Sequence, residues 1–232
     1  MKILRLCFTV SFLIFSVFCF FITKEKNAQV VNNINYKSPV IIIDAGHGGF
    51  DSGTISVNGS LEKDINLAVA KKLAKYFDLN SISYIMTRTE DISTCSKDDE
   101  RIVNKKVSDI KNRFKIIEDN PEAIFLSIHQ NHYSEEYCNG AQVFYSKNNP
   151  ESEKLAECLQ SSFRSMLQPY NNRLIKPTGT EIYLLYHANS VAVMAECGFL
   201  SNQKEADNLI NEEYQNKVAF TLFCGILKYL EA

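Results

Sequence analysis

Three short, mostly apolar runs, residues 40–43, 124–128 and 191–195, are separated by longer segments in which apolar residues recur every three or four positions. Strands that are continuously apolar, rather than alternating, are buried on both faces, and a half-solvated antiparallel sheet does not accommodate them. The helix-period segments between them provide the layers that cover such strands. This alternation predicts an α/β fold: a mainly parallel, twisted sheet of about six strands with helices on both faces.

Taken in order, Ser60 is placed to cap a helix whose apolar stripe is Leu61, Ile65, Val69, Leu73 and Phe77. Residues 83–87 read as a second strand, and 101–118 as a helix with Val103, Val107, Ile110, Phe114 and Ile117 inward. Residues 142–145 read as a strand, 151–167 as a helix, and 214–229 as a closing helix with Val218, Leu222, Ile226 and Tyr229 inward. Polar segments 89–99 and 170–177 read as loops suited to docking or to the rim of a cleft. The chain has 232 residues, 45% of them hydrophobic, enough for one substantial core, which places a single domain over 39–232.

Ahead of that domain, Lys2 and Arg5 precede an uncharged, apolar stretch from Leu6 to Ile22, followed by Lys24, Glu25 and Lys26. Basic, then apolar, then polar is the order of an export signal or membrane anchor, so 1–26 is expected to tether the domain outside the cytoplasmic membrane. No small-x-small cleavage site follows closely, which favours an uncleaved anchor, with polar 27–38 as a stalk. Of seven cysteines, Cys7 and Cys19 lie in the leader. The other five are odd in number and contain no CxxC pair, so most of them are expected to be free and packed. With 25 Lys and Arg against 27 Asp and Glu, the chain lacks the basic excess of a nucleic-acid partner.

The three apolar runs each lead into a chemically capable residue: IIIDAGHGG to His47, LSIHQNH to His129 and VAVMAECGF to Glu196. Ligands of open α/β sheets sit beyond the carboxyl ends of the strands, so these three are expected at one edge. Glu62 joins them from the first turn of the helix that follows Ser60. Two imidazoles, one carboxylate and a second carboxylate to spare form a set suited to one catalytic zinc with a coordination position open to water. Each member has an ordinary alternative. His47 suits a turn, Glu62 suits the positive end of a helix, and Glu196 suits a buried ion pair. Their joint occurrence at strand ends favours the metal reading. In an extended segment His129 shares a face with Ser127 and Asn131 while His132 points away, so His129 is preferred as ligand and His132 is assigned to the cleft or to solvent. His187, in a loop before the last strand, reads as a surface histidine or a substrate contact.

The motifs IIIDAGHGGFDSGT, LEKDINLAVAKKL, MTR, FLSIHQNH and AECGFLSN, in this order from Val40 to the C-terminus, resemble the zinc-dependent N-acetylmuramoyl-L-alanine amidases of the amidase-3 family. The resemblance implies that His47, Glu62 and His129 bind zinc, that Glu196 is catalytic, and that the substrate is the amide joining N-acetylmuramic acid to L-alanine in peptidoglycan. KVSDIKNRFKII and GAQVFYS are closest in texture to the spore-cortex amidases of endospore-forming bacteria. A regulatory or targeting partner protein is expected to confine such an activity, since no wall-binding repeats are present. A non-catalytic wall-binding module of the same fold, and a zinc hydrolase of another amide, stay open as alternatives. Cys197, beside Glu196, is a departure at a position where a small aliphatic or a polar residue would be unremarkable; a packed thiol is the expected reading, with oxidation or competing metal binding as the alternative.

Overall fold

The computed structural model describes residues 39–96 and 101–232. The expected anchor at 1–26 and stalk at 27–38 lie outside the described residues, as does 97–100 of the polar loop. Among the described residues no helix is long and apolar enough to cross a membrane.

The expected α/β architecture is found. Six strands, β1 (Ile41–Ala45), β2 (Tyr84–Met86), β3 (Ile124–Asn131), β4 (Gln142–Tyr145), β5 (Lys176–Pro177) and β6 (Ala192–Phe199), form one sheet in the order β2-β1-β3-β6-β4-β5. The neighbours β2, β1, β3 and β6 run parallel, while β4 is antiparallel to β6. All five residues of β1 are buried, which explains the unbroken apolar run Ile41–Ile43, and the charged Asp44 is buried with them.

Helices α1 (Glu62–Leu79), α3 (Glu151–Ser162) and α6 (Glu212–Leu230) cover one face, and α2 (Ile102–Glu118) and the short α4 (Tyr183–His187) cover the other. Alternate residues of each strand serve the two cores. Ile41, Ile43, Leu126, Ile128, Val193 and Ala195 face the first, and Ile42, Phe125, Ala192 and Met194 the second. In α1, Ile65, Val69, Leu73 and Phe77 are buried at four-residue spacing, and in α6 Val218, Leu222 and Ile226 are buried. A helix α5 (Gln203–Ile210) precedes α6, and both start at asparagines whose side chains accept from the backbone, Asn202 from Glu205 N and Asn211 from Tyr214 N.

Three local expectations are corrected. Ser60 does not cap α1; its hydroxyl bonds to Asn58 Oδ1 in the preceding turn, and Leu61 occupies the cap position with no side-chain bond. The helix expected over 151–167 is α-helical only to Ser162 and continues as a π-helical turn, Phe163–Leu167. On α2 the expected inward face holds only in the C-terminal half: Phe114 and Ile117 pack on the second core, whereas Val103 is 72% exposed and Val107 and Ile110 are also exposed. Arg113, which the apolar count did not place inward, is buried beside Ile117.

Urea denaturation should resolve that difference. Leu73→Ala, in the first core, should cost about 2–5 kcal/mol, while Val103→Ser on the outer face of α2 should stay within about 0.5 kcal/mol of the parent.

Candidate metal and catalytic site

The carboxyl ends of β1, β3 and β6 open into a cleft of about 490 Å³, lined by His47, Glu62, His129 and Glu196 among others. His129 and Glu196 do not lie past their strands, as expected, but inside them. β3 and β6 extend to Asn131 and Phe199, and His129 pairs directly with Glu196 in parallel register. A bulge follows between His129 and Asn131. His47 sits in the turn after β1 with φ 61, a left-handed conformation that non-glycine residues adopt only where their surroundings impose it.

Glu62 begins α1 and is 3% exposed. Its carboxylate meets both imidazoles: Oε2 lies 3.2 Å from His47 Nε2, and Oε1 lies 2.9 Å from His129 Nδ1. Backbone N–H groups of Thr54 and Gln130 donate to the same two oxygens at 2.9 and 3.1 Å. Burial alone would raise the Glu62 pKa, but the hydrogen bonds and charges of the two histidines hold it well below the usual carboxylate range. Burial likewise opposes a charged His47, but Asp51 at Nδ1 (2.8 Å) and Glu62 raise it to about 9. Two glycines make this crowding feasible. A Cβ on Gly46 would stand 2.1 Å from the His129 ring, and one on Gly53 would stand 2.6 Å from both Glu62 and His47.

One donor atom from each of His47, Glu62 and His129 lies within 4.8 Å of the others. Two neutral nitrogens and an anionic oxygen on one side, with an open cleft on the other, form a donor set suited to zinc with a free position. Glu196 faces the same cleft, and its Oε2 is buried without a hydrogen-bond partner in a structure that satisfies most such atoms. Burial, with the nearby Glu62 charge adding to it and His129 opposing it, raises the Glu196 pKa to about 7.

The amidase-3 model of N-acetylmuramoyl-L-alanine amidases matches residues 41–228. The chain belongs to this family. The germination-specific N-acetylmuramoyl-L-alanine amidase of Bacillus subtilis is 32% identical over 226 residues, covering 94% of this chain and 93% of that protein. Among solved structures, the CwlD amidase of Clostridioides difficile, determined in complex with the GerS lipoprotein, superposes with a TM-score of 0.80 at 39% identity, over 84% of this chain and 99% of that one. An N-acetylmuramoyl-L-alanine amidase from Clostridium difficile 630 gives 0.73 at 30% identity, over 84% and 98% of the two chains.

Other residues singled out in this amidase fall outside the cluster. His132 is exposed. His187 ends α4 rather than lying in a loop, and packs against Tyr183, Tyr186 and Phe114. The described part of the 89–99 loop backs the glycine turn: Asp91 accepts from Gly49 N, and the Ser93 and Thr94 hydroxyls bond to Asp109. Asp51 was missed by sequence reasoning, although its position four residues after His47 was a usable signal, since ligating imidazoles commonly donate their second nitrogen to a carboxylate. Lys106 Nζ, 2.9 Å from Asp51, is a further cleft residue that no motif announced.

The five described cysteines are free, as expected. Cys197 is turned away from Glu196 by strand alternation, lies in the first core, and its thiol is pushed up by burial and by the adjacent Glu196 charge. Mass-spectrometric mapping after brief treatment with a maleimide should therefore find Cys197 unmodified in native protein and modified after denaturation; native labelling would contradict this placement.

Proposed function

We propose that the protein is a one-zinc N-acetylmuramoyl-L-alanine amidase that hydrolyses the amide between the lactyl group of N-acetylmuramic acid and the L-alanine of the stem peptide, in the service of spore-cortex maturation. The observation that carries this reading is the convergence of His47, Glu62 and His129 in one cleft with Glu196, whose Oε2 is buried without a hydrogen-bond partner.

In this reading His47, Glu62 and His129 are the zinc ligands. Zinc bound there would polarise the scissile carbonyl and acidify a water molecule toward a pKa of about 7. Asp51 fixes the His47 ring through Nδ1, and the Thr54 and Gln130 amides fix the Glu62 carboxylate. Glu196, raised to about 7, is poised between its two protonation states. It accepts a proton from the attacking water as the C–O bond forms and delivers it to the amine nitrogen as the C–N bond breaks. The products are the lactyl carboxylate on the glycan and a stem peptide with a free amino terminus.

The leader at 1–26, read as an anchor, would place the domain outside the cytoplasmic membrane. CwlD was determined with a lipoprotein, and a protein partner of that kind is proposed here to confine the activity.

Mass spectrometry of digested peptidoglycan should show free stem peptides with the parent. Glu196→Gln should lower kcat by about 10²–10⁴-fold while keeping one zinc per chain; full activity in that variant would sink the assignment. The base must be ionised to act, so kcat/KM should rise with pH along an acidic limb. A bound dication favours the ionised carboxylate, which puts the midpoint of that limb at or below about pH 7, and a limb well above it would rule out Glu196 as the base.

A further inference from the structure

Three consecutive carbonyls at the His47 turn are gripped by two guanidinium groups. Arg88, just after β2, donates from Nε to Ala45 O (2.9 Å) and from Nη2 to Gly46 O (3.0 Å). Arg113, on α2, donates from Nη1 to Ala45 O (2.9 Å) and from Nη2 to His47 O (2.7 Å). Among the described residues, Arg113 is the group that reaches the His47 carbonyl.

Arg113 is itself rigidly placed. Its side chain is 3% exposed, its charge is met by buried Asp44, and its Nε donates to Asp109 at 2.7 Å. Asp44 is fixed in turn by the hydroxyls of Ser127 on β3 and Thr87 after β2. The guanidinium therefore stands on a network anchored in β1, β3 and the end of β2. His47, at φ 61, needs such determination: Asp51 orients its ring, and nothing in the ring contact fixes the orientation of its carbonyl.

We propose that Arg113 is a positioning residue for metal binding, which holds the His47 backbone in the ligand conformation before the metal arrives. This rests on the zinc reading above. The mechanism is preorganisation: a His47 turn free to relax toward ordinary backbone angles would have to be re-ordered on each binding event, lowering affinity without removing a ligand. It also makes α2 part of the metal site. The outer half of that helix exposes Ile102, Val103 and Val107, so its attachment depends heavily on Asp109, Arg113, Phe114 and Ile117. Zinc binding should consequently tighten α2 through the His47 carbonyl.

The test compares zinc affinity, by chelator competition, in the full chain and in Arg113→Lys and Asp109→Asn, each checked for folding by circular dichroism and thermal melting without metal. A lysine preserves the charge opposite Asp44 but cannot span the same fork of acceptors. Arg113→Lys should bind zinc about 10–100-fold more weakly, with kcat at saturating zinc restored to near the parent value and KM unchanged. Hydrogen exchange in residues 102–118 should slow on zinc addition in the parent and much less in the variant. A purely structural role would lower the melting temperature and leave zinc affinity and exchange coupling intact, which would overturn the inference. If Arg113→Lys does not fold, folded Asp109→Asn decides, since it replaces the charged acceptor at Nε by a neutral amide and loosens the guanidinium while retaining the Asp44 pair. Parental zinc affinity there overturns the proposal, and a weakened one supports it. Absence of zinc binding by the parent chain would refute the metal reading itself, a distinct outcome.

Discussion

A carboxylate buried to the depth of Glu62 is tolerated only where every lone pair finds a donor. Here the donors come from four places in the chain: the turn after β1 (His47), the loop before α1 (Thr54 N), α1 itself (Asn66 Nδ2), and successive residues of β3 (His129 and Gln130 N). Much of the architecture around the cleft follows from meeting that demand. α1 must begin at Glu62 itself, Gly53 must leave room for the carboxylate, and β3 must run past its apolar portion so that residues 129 and 130 present one ring and one amide to the same oxygen. The helix start contributes as well, since an acid in the first turn is stabilised by the helix dipole by about 0.3–1 kcal/mol.

Parallel register does the remaining assembly. Because β3 and β6 run in the same direction, His129 and Glu196 lie side by side on one face, and their successors Gln130 and Cys197 go to the other. A slip of one residue in either strand would exchange a cleft residue, Glu196 or His129, for the packed thiol of Cys197 or the amide of Gln130. Apolar partners on both faces, Leu126 and Ile128 against the first core and Phe125 against the second, make such a slip costly, so the same burial that stabilises the sheet also sets the geometry of the cleft.

What could be read in the sequence was whatever rests on local pattern. The unbroken apolar character of residues 40–43, the four-residue spacing of Ile65, Val69, Leu73 and Phe77, and the histidines and acids that follow apolar runs were visible because each is a short-range signal. Strand ends were misjudged at His129 and Glu196, since a strand that ends in functional polar side chains looks like a loop. The face of α2 was read correctly at Phe114 and Ile117 and misjudged in its first half: counting apolar residues assigns Val103 and Val107 inward, whereas the helix is seated also by Arg113, whose partners Asp44 and the His47 carbonyl are far away in sequence. Ser60 does not cap α1 because its hydroxyl donates to Asn58 Oδ1, two residues earlier, a competition that residue type alone does not decide. Asp51 was legible in principle, being one helical turn's worth of residues beyond His47, but a carboxylate in a glycine-rich turn has many ordinary uses.

The sheet is bordered by a three-residue strand on one side and by a two-residue strand containing Pro177 on the other. Such edges offer few free N–H and C=O groups, and a proline contributes no donor at all. Backbone zippering onto a neighbouring copy or a stray extended peptide therefore has little to grip. For a peptidoglycan amidase, whose substrate itself carries short peptides, that makes encounters selective by default: whatever associates with this domain must be recognised by its side chains and sugars, not by the generic hydrogen-bonding pattern that every polypeptide carries.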